Sequence, residues 1–247
     1  MIAAAFRPVE ALSLVLAASG ALVLASLVWR RRAGRPLLRA VKSPFRPASP
    51  GRLLLLALLV FVAAQLGALL VVYGGATGSI PGLTLPLAAS VYVAWLARRD
   101  VLVPRGSLSW RIGMGLLHLW ASLPLVYGTF LLARWIGLPE QNAVVHLRDR
   151  AEGWQALALS AVLVAPVAEE ICFRGLVYPA LRMRLPARHA ILFTSAAFAF
   201  VHPPAVWLPM AILAAFLAWL VETSGSVAPA IAAHMAFNAL NVAQLLV

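Results

Sequence analysis

Six side chains in the second half of the chain have types and spacings that can do chemistry. Glu169, Glu170 and Arg174 interrupt a run that is otherwise apolar from 157 to 178. In hydrocarbon an ionised group at a helix centre costs roughly 2.5–3.5 kcal/mol, so such residues persist where they face a protein-lined or watery cavity and have partners. Glu170 and Arg174 are four apart, share one helical face and can pair. Glu169 lies about 100° further round the helix, which leaves it free for other duties. Downstream come His202 and an i,i+4 pair, His234 and Asn238. A carboxylate base and a histidine can hold and deprotonate a water. His234 and Asn238 supply N–H donors for a developing oxyanion. Base, partner and donor pair together spell water-driven acyl transfer, that is, peptide hydrolysis.

These residues also fall near one depth. With the inner boundary at the basic loops and a rise of 1.5 Å per residue, Glu169 lies roughly 20 Å in and His202 roughly 21 Å. Asn238 and His234, counted from Gly225, lie roughly 20 and 14 Å in. Three different helices therefore offer polar groups to a shared cavity.

The elements that must position them are membrane helices. Of 247 residues, 63% are hydrophobic and 11% charged, a composition far from the soluble average and typical of a polytopic membrane protein. The formal charge of +12 does not point to nucleic acid, because the basic residues cluster in alternate connections: eight between Arg30 and Arg52, four between Arg98 and Arg111, three between Arg182 and Arg188. That is the positive-inside pattern, with anionic lipid headgroups as partners.

The reading is an all-α polytopic bundle of about eight transmembrane helices, over 11–28, 53–73, 80–97, 112–132, 155–180, 190–201, 206–221 and 229–247. The first is a retained helix, since its charge follows the apolar run instead of preceding it, and both termini fall outside. The proline-rich connection from Arg30 to Arg52 is expected to hug the cytoplasmic face. Residues 74–78 and 222–226 are expected turns, and 134–154 an outer connection with room for a short interfacial helix. His118 is expected to bond a neighbouring backbone carbonyl. Cys172, the one cysteine, is expected to pack as a small hydrophobe.

The pattern Glu-Glu-x3-Arg (Glu169, Glu170, Arg174), Phe-x3-His (Phe198, His202) and His-x3-Asn (His234, Asn238) resembles the CPBP family of CAAX proteases and bacteriocin-processing enzymes, also called Abi proteins. Pro166 and Gly175 fall as in that family. The resemblance covers roughly 155–246; the first four spans carry no family signal. It divides the chain into a four-helix membrane region at 1–153 and a four-helix catalytic core at 154–247, packed as one bundle. It implies an intramembrane glutamate endopeptidase with Glu169 as general base and His202 as its water-positioning partner. His234 and Asn238 would form the oxyanion hole, and Glu170, Arg174 and Phe198 would support the site. The implied partner is a peptide or protein at the membrane, without nucleic acid and without a cofactor.

Two alternatives stay open. His202, His234 and Glu169 are three zinc-type ligands with an open position, although the His-Glu-x2-His helical signature is absent. Related chains also act as immunity proteins or scaffolds without catalysis. The Ala-, Leu- and Arg-rich composition suggests a high-GC bacterium, hence the bacterial cell membrane.

Overall fold

The computed structural model describes residues 8–34, 49–97, 106–137 and 154–245. They form eight helices: α1 Pro8–Arg32, α2 Pro50–Tyr73, α3 Gly75–Ala97, α4 Leu108–Trp135, α5 Trp154–Arg182, α6 Ala187–Phe200, α7 Trp207–Ser224 and α8 Ala228–Leu245. The 30–52 loop and the 134–154 connection lie largely outside the described residues. The protein is an all-α membrane bundle. Six of the helices (α1 to α5 and α7) are long and apolar enough to cross a bilayer. All eight expected helices are present, and two of them, α6 and α8, fall short of that mark. At 14 residues, α6 is shorter than the ~20 needed, and α8 carries His234, Asn238, Asn241 and Gln244.

Two expected turns are also shorter than read. Gly74 alone interrupts α2 and α3, and the helix resumes at Gly75 because its hydrogen-bond ladder is nearly continuous: Gly74 N–H donates to Leu70 O and Gly78 N–H to Gly74 O. At the other turn α7 runs through Ser224, and Gly225 ends it at φ 65°, the left-handed conformation glycine adopts without a Cβ penalty.

Helix α5 lies inside the bundle. On one side it packs against α2 and α3, on the other against α6, α7 and α8; α4 packs on α7 and α8, with α1 outside it. Small residues permit the closest approach, as membrane interfaces require. A Cβ at Gly67 would stand 2.6 Å from Gly82 O and 2.4 Å from a Pro86 ring carbon, so α2 and α3 touch at that level. Arg111 at the start of α4 donates to Ser226 beyond α7. Arg182 at the end of α5 pairs with Glu222 at 3.1 Å, and Tyr178 donates to the same carboxylate at 2.8 Å. The basic ends of α4, α5 and α6 therefore share one end of the molecule, as the charge pattern requires.

Candidate active site

The helix carrying the carboxylates is not uniformly α-helical. Within α5, Ser160–Val164 and Ile171–Val177 coil as π-helix on either side of an α-helical Ala165–Glu170. Ala165 N–H reaches back five residues to Ser160 O, and Tyr178 N–H to Phe173 O. Each π-segment is followed by a proline, Pro166 or Pro179. Proline cannot donate, and its ring clashes with the carbonyl four residues back, so the wider coil relieves the ring. In this register Pro166 would be the donor to Ala161 O. Asn238 Nδ2 takes that place at 2.8 Å, satisfying a carbonyl that is costly to leave bare in a membrane. Single-turn π-bulges occur frequently at functional sites.

Glu170 faces inward. It and Arg174 are fully buried and joined at 2.9 Å, the i,i+4 pair expected, and a second guanidinium nitrogen donates to Ala214 O at 3.2 Å. Because Glu170 Oε1 accepts from arginine, the His234 nitrogen 2.8 Å from it is an Nδ1–H donor. The other ring nitrogen, Nε2, stands 3.8 Å from Glu169 Oε2. His234 thus bridges the two carboxylates, with a hydrogen bond to one and its bare edge toward the other. Phe198 closes the cluster: its ring lies under the Arg174 guanidinium at 4.4 Å, meets Phe173 edge-on at 5.2 Å and lies 4.7 and 5.9 Å from the rings of His202 and His234. A desolvated cation over an aromatic face adds a kcal/mol or two.

Glu169 turns the other way. Its side chain is 28% exposed and lines a cavity of about 120 Å³. One water needs about 10–15 Å³ by this measure, so several fit. His202, just past the end of α6, lines the same cavity. Its Nδ1–H donates to Phe198 O at 2.8 Å, which fixes the tautomer and leaves Nε2 as the ring's acceptor. His234 and Asn238 stand behind this wall, not on it. The depth estimates put Asn238 level with Glu169 and His234 shallower, whereas His234 is the one beside Glu169. The seven π-residues between Glu169 and the helix end hold more residues per turn, so that stretch of chain is shorter than a straight α-helix.

Sequence reasoning missed three contributors. Gln65 of α2 and Ser160 of the first π-segment line the cavity together with Glu169. Gln65 is the one amide in the apolar run 53–73, and a polar residue at mid-span was the available signal. Glu222, read as part of a turn, is the buried acceptor for Tyr178 and Arg182. Cys172 also borders the cavity, with its thiol donating to Ala57 O at 3.4 Å. His118 donates to Met114 O at 2.8 Å, as expected. Among the described residues no three His, Cys, Asp or Glu side chains converge in a metal-binding group.

No curated protein and no solved structure matches the chain. One family model does, over the segment that holds both π-helices, both carboxylates and both site histidines. Residues 152–240 match the model of the type II CAAX prenyl endopeptidase Rce1-like family.

Proposed function

We propose that the protein is an intramembrane endopeptidase in which Glu169 activates a water to hydrolyse a peptide bond. The observation that carries this reading is the meeting of Glu169 and His202 on the wall of one cavity between the helices. Glu169 accepts a proton from the water while the bare Nε2 of His202 accepts its second hydrogen, which aims the oxygen lone pair at the substrate carbonyl. The water oxygen bonds to the carbonyl carbon, and the carbonyl oxygen becomes an oxyanion. His234 has its one N–H on Glu170 and so cannot donate to that charge as the resemblance implied; the second N–H of Asn238 stabilises it as it develops. The tetrahedral carbon then expels the amine, which leaves with the proton held by Glu169. The products are a carboxylate and an amine, and no metal is needed.

Gln65, on the α2 part of the same cavity lining, completes the reading. A carboxamide offers one acceptor and two donors, the complement of a peptide unit, and Gln65 makes no hydrogen bond among the described residues. We assign it to the substrate's backbone. The substrate is a membrane-associated peptide, a CAAX-like chain end or a leader sequence, and the protein works in the bacterial cell membrane. Comparing membrane-associated peptides from cells with wild-type protein and with Glu169→Gln tests this. New peptide termini are expected only with wild type; identical peptide sets would overturn the reading.

A further inference from the structure

A second cavity, of about 390 Å³, lies between α1, α4 and α7, away from Glu169. Its walls are apolar, built from Leu24, Leu27, Leu125, Ile212 and Phe216, and Arg31 stands among its lining residues. The contacts between the three helices fix which residues share a level. Ser19 accepts from Trp120, so in the antiparallel α1–α4 pair Arg31 falls beside the first turn of α4. The His118 ring lies 5.3 Å from that of Trp219, and Arg111 bonds Ser226; by the same register Ile212 falls level with Leu125. The cavity is therefore a trough. It starts at Arg31 at the basic end of the molecule, passes His118 and Trp219, and ends at Leu125 and Ile212.

From the first turn of α4 to Leu125 is about 14 residues, or roughly 21 Å. Half of a bilayer of 40–45 Å, headgroups included, is about 20–22 Å. The trough spans one leaflet. Counted out to the surrounding atoms its volume is about 1030 Å³, which over ~21 Å gives a mean cross-section of about 49 Å², against roughly 80 Å² for a helix 10 Å across. A single hydrocarbon chain fits; a helix of a substrate or of a second copy does not. The polar groups inside are mostly satisfied: Ser122 donates to Leu119 O at 2.8 Å and His118 to Met114 O at 2.8 Å. Arg31 is exposed, has no ion-pair partner among the described residues, and no acidic side chain lines the trough. A cation at the headgroup level beside an unpaired hydrocarbon trough complements a lipid phosphate.

We propose that this trough is a binding site for one anionic glycerophospholipid of the leaflet at the basic end, with its phosphate on Arg31 and one acyl chain running to Leu125 and Ile212. The test is native mass spectrometry of the purified, delipidated full chain, titrated separately with phosphatidylglycerol and phosphatidylcholine. One phosphatidylglycerol per chain is expected, retained about tenfold better than phosphatidylcholine, and Arg31→Leu should remove that preference. Ala121→Trp, which fills the trough, should abolish retention of both. Should that variant fail to fold, a phosphatidylglycerol with a diazirine at its acyl terminus decides: peptides containing Leu125 and Ile212 should be labelled. Equal retention of both lipids by wild type, unchanged preference in Arg31→Leu, or labelling away from the trough would overturn the proposal.

Discussion

Two sides of one helix, a residue apart in sequence, have opposite characters. On the sealed side of α5, Glu170 meets Arg174 and His234, and Phe198 roofs the guanidinium. On the open side Glu169 makes no hydrogen bond among the described residues and lines a cavity with His202, Gln65 and Ser160. In a medium where an unpaired ion is so costly, partners mark a group that holds the fold. The carboxylate left partly bare toward a cavity is the one the proposed mechanism uses. Adjacent positions on a helix, about 100° apart, let one segment do both.

The largest expected effect is on the sealed side. Glu170→Gln leaves Arg174 without its counter-charge and should cost about 3–5 kcal/mol of stability, the usual result of breaking a buried pair from one side. Unfolding of the purified variant measures it; a Glu170→Gln protein as stable as wild type would dissolve the contrast. Asn238 joins the brace to the proposed chemistry, since one amide hydrogen holds Ala161 O and the other is the proposed donor to the oxyanion. Asn238→Ala should lower single-turnover cleavage by about 10²–10³ and stability by about 1–3 kcal/mol through the orphaned carbonyl. If stability falls but each folded molecule turns over at the wild-type rate, Asn238 braces the π-segment and nothing more.

Smaller again is the effect expected at Gln65. Gln65→Leu should reduce kcat/KM by about 2- to 10-fold, the worth of one neutral hydrogen bond at ~0.5–1.5 kcal/mol. The loss should lie in KM if the contact is to bound substrate. Unchanged kinetics would take α2 out of substrate recognition and leave it as packing.

What the sequence made legible follows from the cost of polarity in hydrocarbon. The all-α membrane class, the Glu170–Arg174 pair and the backbone bond of His118 could all be read from spacing and composition. The fine geometry could not. Nothing in a simple helical count says that Pro166 and Pro179 widen the coil on both sides of the carboxylates, so depths measured at 1.5 Å per residue put Asn238, not His234, beside Glu169. Gln65 was visible but had no partner within reach along the chain, and only the packing of α2 on α5 brings it to the cavity. Hydropathy is the weaker signal at α8 for a related reason: that helix owes its place to Asn238, Gln244 and their partners as well as to its apolar residues.

The central claim is that Glu169 is the base and is not needed to hold the fold. Its most direct test is Glu169→Gln, purified beside wild type, with unfolding midpoint, single-turnover cleavage and bound metal all measured. Since Glu169 makes no hydrogen bond among the described residues, the midpoint should stay at the wild-type value. Cleavage should fall by about 10²–10⁴ or more, the contribution of a positioned general base. A Glu169→Gln protein that cleaves at the wild-type rate would contradict the account, as would stoichiometric zinc in the wild type that is lost in His234→Ala.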